Sequence, residues 1–142
     1  MSDCVFCDIV AGTAPASIVW QDDVAVAFLD LFPVHAGHVL VVPRVHAPDL
    51  IAGDPALAGA LFARAARLAP AVMGATGAQG CNIWTASGAV AGQQVFHLHL
   101  HILPRFRDDA FGLRFPVGYP TAADRDELQE MAARIRSLVP AD

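Results

Sequence analysis

Gly92-Gln93-Gln94-Val95-Phe96-His97-Leu98-His99-Leu100-His101-Ile102-Leu103-Pro104-Arg105 is the stretch on which the reading of this chain turns. Val95 to Leu103 reads as a β-strand. Side chains alternate faces along a strand, so His97, His99 and His101 project from one side and Leu98, Leu100 and Ile102 from the other. The three imidazoles form a polar strip with no carboxylate in it. Such a strip suits an anion, because imidazole nitrogens, neutral or protonated, donate to phosphate oxygens. A half-exposed strand with a histidine face, or a metal site, is the alternative. Three histidines at two-residue spacing, after Gly-Gln and before Pro-Arg, are hard to explain as an ordinary polar face.

The surroundings of this strand are unusual in charge. Residues 68 to 104, 37 positions, contain no Asp, Glu, Lys or Arg. Any chemistry there uses neutral groups or histidine. All nine basic residues are arginines, which excludes Schiff-base and phosphate-loop lysine chemistry. The net charge of −5 argues against a surface for duplex nucleic acid. A mean hydropathy of +0.45 raises the question of a membrane. The charge-free stretch, however, is broken by Pro70, five glycines, Asn82, Gln93 and Gln94, and MSDCVFCDIV is no secretory leader. The expectation is a soluble, cytoplasmic protein with no membrane partner. With 142 residues and no repeat or linker, it reads as one domain, 1–142, with a core at about 4–105 and an extension over about 106–142.

Further out, residues 18 to 29 read as two strands turning at Gln21-Asp22-Asp23, and His38 to Val42 as a β-branched strand stopped by Pro43. Asp54-Pro55 begins a helix whose Leu57, Leu61, Ala65, Leu68 and Val72 share one face. Pro70 is expected to kink or shorten it. Cys81 to Thr85 forms another strand, joined to the histidine strand by the loop Ala86 to Gly92. Leu128, Met131, Ile135 and Leu138 mark a C-terminal amphipathic helix, with Asp124, Asp126 and Glu127 early and Arg134 and Arg136 late. The class is α+β, a largely antiparallel sheet with a main helix against it.

HLHLHIL resembles the defining motif of the histidine triad (HIT) family, His-φ-His-φ-His-φ-φ with φ apolar, at every position. The resemblance extends over CVFCDIVAGTAPASIVWQDDVAVAFLDLFPVHAGHVLVVPRVH and covers about residues 4 to 105. It implies a sheet of about five strands. It also implies hydrolysis or transfer at the α-phosphate of a purine nucleotide, with His99 as nucleophile and a nucleotidyl-histidine intermediate. His101 would donate to phosphate or leaving group, Gln93 would hydrogen-bond the phosphate, and His38 would support the site. Asp30 would hold the ribose hydroxyls, and Val5, Phe6, Ile9, Phe28 and Leu31 would line a base slot that sequence alone does not distinguish from core. No catalytic metal is required by this design. Two positions depart from the pattern: Ala86 replaces a polar asparagine, and Gln94 a serine or threonine. Each lost donor would cost about 1–3 kcal/mol in phosphate binding, with Ser87 and the Gln94 amide as compensation.

Cys4-x-x-Cys7 is open to three readings: a redox pair, half of a zinc site, or coincidence. A Cys₂His₂ site needs two further histidines, and His46 and His97 are the candidates. The family resemblance implies structural zinc on this combination, which would make His97 a ligand. Cys81 is expected to be a buried, inert thiol and His35 a loop residue without a chemical role. The resemblance further implies a homodimer built through the main helix and an adjoining strand, and the tail after Arg105, with Phe111, Phe115 and Tyr119, is expected to close over the leaving-group side. Beside hydrolysis, the alternatives are a nucleotide-binding interaction protein with incidental turnover, or a nucleotidylyl transferase or phosphorylase.

Overall fold

A computed structural model describes residues 2–141. Five strands, β1 (Ile18–Gln21), β2 (Ala25–Leu29), β3 (Val39–Pro43), β4 (Gly80–Trp84) and β5 (Leu100–Arg105), form one antiparallel sheet in the order β1-β2-β3-β5-β4. Three helices accompany it: α1 (Val5–Ala11), α2 (Pro55–Thr76) and α3 (Arg125–Leu138). The chain forms two compact units, one ending at Phe111 and one beginning at Gly112.

The strand alternation sorts the sheet into two cores. Ala25, Ala27, Val39, Val41, Leu98, Leu100 and Ile102 point to one face, where Leu61, Ala65 and Val72 of α2 cover them. Val26, Phe28, Leu40 and Val42 point to the other, where Phe6 of α1 packs. Asp54 caps α2 as expected, its carboxylate accepting from the Ala56 N–H at 2.9 Å. Length and composition would let α2 cross a membrane. Its buried face nevertheless lies on the sheet, and Arg64 within it pairs with Asp22 at 2.7 Å.

Three expectations are corrected. The shortening expected at Pro70 does not occur, and α2 continues to Thr76. The proline lies on the exposed side, where water can take the unpaired Ala66 carbonyl, while Ala65 and Val72 hold both flanks on the sheet. The histidine strand joins the ladder only at Leu100, not Val95. β3 runs out at Pro43, level with Leu98, and residues 95–99 are held by single bonds such as Leu98 N–H to the Ala47 carbonyl at 2.7 Å. Third, the cysteine pair sits at the start of a helix, α1, that periodicity did not reveal. Seven residues give too few turns for a pattern, and Gly12 stops the helix at φ 76°, a conformation that favours glycine.

In the second unit, Asp124 caps α3 by accepting from the Asp126 and Glu127 N–H groups, and Leu128, Met131, Ile135 and Leu138 are all exposed. Phe115 and Tyr119 stack on each other, centroids 4.1 Å apart.

Candidate active site and metal centre

Although residues 95–99 lack a ladder, they remain alternating: Leu98 enters the α2 core while His97 and His99 face Phe6. The His99 ring is buried, and its Nδ1–H donates to the His97 carbonyl at 2.7 Å. A neutral imidazole has one proton, so this bond leaves Nε2 with its lone pair bare. Desolvation pushes His99 below the ordinary imidazole range, against the opposing pull of the His97 carbonyl and Asp30. The Thr85 hydroxyl donates to the His99 carbonyl at 2.8 Å and fixes the backbone beneath the ring.

A second chain of bonds sets His101. The Val34 N–H donates to His38 Nδ1 at 3.2 Å, so His38 carries its proton on Nε2. That Nε2–H donates to His101 Nδ1 at 2.9 Å, which puts the His101 proton on its own Nε2. Burial, then the neighbouring His99 and His38, hold His101 down to about 3. Burial likewise lowers His38, with Asp30 Oδ2, 3.7 Å from its Nδ1, pulling the other way. Trp84 lies flat on the His101 ring, centroids 4.3 Å apart and 4° from parallel. The result is a bare nitrogen on His99 beside an N–H donor on His101, with ring centroids 4.9 Å apart. Such a pair can attack an electrophilic centre and protonate what leaves it.

The remaining site residues are placed as follows. Gln93 is buried and its amide is engaged within the protein. Nε2 donates to the Pro48 carbonyl at 2.7 Å and the Val95 carbonyl at 3.1 Å, while Oε1 accepts from Gly88 N–H at 2.8 Å. It anchors the loop from Ala86 to Gly92. Gln94 is exposed and borders, with Val5 and Cys7, an open hollow of about 660 Å³. Asp30 is half-buried and its Oδ1 accepts from the Phe32 N–H at 2.9 Å. Phe6 and Phe28 meet edge to face at 5.5 Å with Ile9 packed on them, whereas Val5 is half exposed and Leu31 stands 83% exposed. Two contributors gave no sequence signal of their own. Trp84 meets His101 only through the β4–β5 register, and Thr85 meets His99 through its hydroxyl.

The other histidine of the strip belongs to a different cluster. One ligand atom from each of Cys4, Cys7, His46 and His97 lies within 4.8 Å of the others. His97 Nε2–H donates to the Pro43 carbonyl at 2.9 Å, which turns its bare Nδ1 toward Cys4 Sγ at 3.4 Å and Cys7 Sγ at 3.5 Å. His46 Nδ1 lies 3.3 Å from Cys7 Sγ. Desolvation and Cys4 push the Cys7 thiol up. Two thiols and two imidazoles, one oriented by a backbone carbonyl, are the donor set of a closed tetrahedral site.

A family model described as HIT domain matches residues 11–108. The chain belongs to the HIT family. The curated relatives of the family include "Adenylylsulfatase HINT3" of Arabidopsis thaliana, 37% identical over 76% of this chain and 55% of its own length. Among solved structures, a HIT family member from Bacillus subtilis superposes with a TM-score of 0.90 at 32% identity, covering 99% of this chain and 100% of its own. A zinc-bound histidine triad family protein from Mycobacterium smegmatis superposes with a TM-score of 0.74 at 35% identity, covering 96% of this chain and 98% of its own.

Proposed function

We propose that this HIT protein is a cytoplasmic hydrolase that cleaves purine nucleotide conjugates at the α-phosphate through a nucleotidyl intermediate on His99. The observation that carries the reading is the His99 Nδ1–H bond to the His97 carbonyl, which leaves Nε2 free to attack. An anionic phosphate entering beside His99 and His101 favours uptake of one proton by the His38–His101 pair. His99 Nε2 then forms a bond to phosphorus as the bond to the leaving atom breaks. The leaving atom departs with its electron pair and takes the His101 Nε2 proton. Water attacks next, giving a proton to the bare His101 Nε2 and expelling neutral His99. The net reaction is conjugate plus water to nucleoside monophosphate plus the protonated leaving group.

On this reading Asp30 accepts from the ribose hydroxyls, and Phe6, Phe28 and Ile9, with Val5 and Leu31 at the opening, receive the base. Gln94 offers its amide to the phosphate, and Gln93 acts by holding the loop around it. The leaving group is an amine or a phosphate chain, and the name of the Arabidopsis relative adds sulfate. A structural zinc ion on Cys4, Cys7, His46 and His97 tethers α1 to the ends of β3 and the histidine run, in keeping with the zinc-bound mycobacterial relative. Two copies join through α2 and β4. The support is that β4 is a sheet edge and α2 carries apolar side chains such as Phe62 on its outer side.

Incubation with an adenosine 5′-phosphoramidate, following free AMP, tests the reaction. His99→Ala is expected to lower turnover by about 10⁴-fold with the fold intact. Equal rates in wild type and variant would overturn the reading. Tight AMP binding with background turnover in both would instead favour an interaction protein, the reading motivated by Ala86 and Gln94.

A further inference from the structure

We propose that Trp84, together with a clasp formed by Arg105, Asp109 and Phe111, positions the His101 ring so that its Nε2–H meets the leaving atom. The inference rests on the reading of His101 as proton donor. Trp84 stands directly opposite His101 in the β4–β5 ladder, so the two side chains emerge on the same face. One edge of the imidazole is tied by the single bond to His38, about which the ring could still swing. The indole, parallel at 4.3 Å, blocks that swing.

Trp84 is itself backed. Phe111 lies against it with centroids 6.2 Å apart, and the Arg105 guanidinium sits 5.1 Å over the Phe111 ring. Arg105 also donates to the Phe111 carbonyl. It grips Asp109 by two bonds, from Nε at 2.6 Å and Nη2 at 2.8 Å, and reaches Asn82 on β4 from Nη1 at 2.6 Å. Asp109 in turn accepts from the Phe106 N–H at 3.0 Å and the Phe111 N–H at 3.2 Å. His35 Nε2 approaches Asp109 Oδ2 at 3.1 Å without the angle of a hydrogen bond.

The clasp holds a backbone that would not hold itself. Asp108 and Ala110, on either side of Asp109, both sit in the left-handed region at φ 57° and 58°, a cost for side chains with a Cβ. A bidentate arginine–carboxylate pair is among the strongest side-chain contacts available to meet that cost. Arg105 thus spends its charge on Asp109. Its influence on the chemistry runs through Phe111 and Trp84.

The test uses AMP conjugates whose leaving groups range from a basic alkylamine to 4-nitrophenol, which departs without a proton. Trp84→Leu and Asp109→Asn are expected to lower kcat about tenfold for the alkylamine, with KM nearly constant, and less than about threefold for the nitrophenyl ester. Trp84→Phe, which keeps a flat face, should recover most of the loss. Uniform loss across the series in a variant whose thermal melt matches wild type, or no loss, overturns the proposal. His101→Ala separates the two readings. If it shows steep leaving-group dependence while Trp84→Leu behaves as wild type, only the positioning role falls. If His101→Ala is itself flat, the proton-donor reading falls. Independently of turnover, imidazole ¹⁵N NMR should show one His101 tautomer in wild type and a mixture in Trp84→Leu; identical spectra also overturn the proposal.

Discussion

His97 and His99 are two residues apart, both buried and both facing away from the α2 core, yet the backbone gives them opposite tautomers. His97 spends Nε2 on the Pro43 carbonyl and presents Nδ1 to two thiols. His99 spends Nδ1 on the His97 carbonyl and presents Nε2 to the space beside His101. The same side chain thus supplies a ligand atom close to the backbone in one case and a reach-out nitrogen in the other. What decides between them is which carbonyl lies within reach. The partners differ as well: two thiols and His46 gather around His97, while His38 and an indole flank His101.

The largest expected effect tests the imidazole side of this comparison. His38, His99 and His101 are held neutral below the ordinary histidine value, chiefly by burial. As pH falls below about 6.5, the unfolded chain takes up protons that the folded chain refuses, so the unfolded state gains. Each refused proton costs about 1.4 kcal/mol per pH unit over that window. Thermal melts should lose about 15 °C between pH 7 and pH 5. Replacing His38 by Gln should flatten the curve, and an unchanged slope would mean that these rings are not buried neutral in solution.

The sulfur side is tested by Cys4→Ser with Cys7→Ser, or by a strong chelator. Metal analysis should find about one zinc per chain in wild type and almost none in the double variant. Loss of a ligand bound only by the folded state, at about a thousandfold over its Kd, removes about 4 kcal/mol, or about 10 °C of Tm. Turnover at a temperature where both proteins are folded should change by less than about tenfold, because no step is assigned to this cluster. A collapse of activity without a change in Tm would merge the two sites into one.

These contrasts were legible in the sequence to different depths. Alternation separated His97, His99 and His101 from Leu98, Leu100 and Ile102, and it survives even where the ladder is missing, because extended backbone alternates whether or not it is paired. The cysteine pair with His46 and His97 was readable as one of three possibilities, because ligand type limits the candidates before any fold is known. Trp84 was invisible as a neighbour of His101, since the β4–β5 register is set across the sixteen residues that separate them in the chain. The engagement of the Gln93 amide was equally hidden, because its acceptors at Pro48 and Val95 are backbone atoms with no signature in side-chain identity. Pro70 misled because helix-breaking is a local penalty, and burial of Ala65 and Val72 on either side outweighs it.

The smallest expected effect concerns what keeps the two tautomers apart. The His97 carbonyl that orients His99 belongs to a segment without ladder bonds, so its position depends on isolated contacts. One of these is the Thr85 hydroxyl on the His99 carbonyl at 2.8 Å. Thr85→Val keeps the branched shape and removes the donor, leaving a half-buried carbonyl unpaired at a cost of about 1 kcal/mol, or about 3 °C in Tm. If the segment then drifts, the Nδ1–H bond of His99 lengthens and its proton is shared between the two nitrogens, lowering the fraction with a bare Nε2. The expected result is a kcat reduced about threefold with KM unchanged, while zinc content stays at wild-type level because His97 is tied separately through Pro43. Loss of zinc in Thr85→Val would show that the two carbonyl anchors move together and that the division between the sites is not independent.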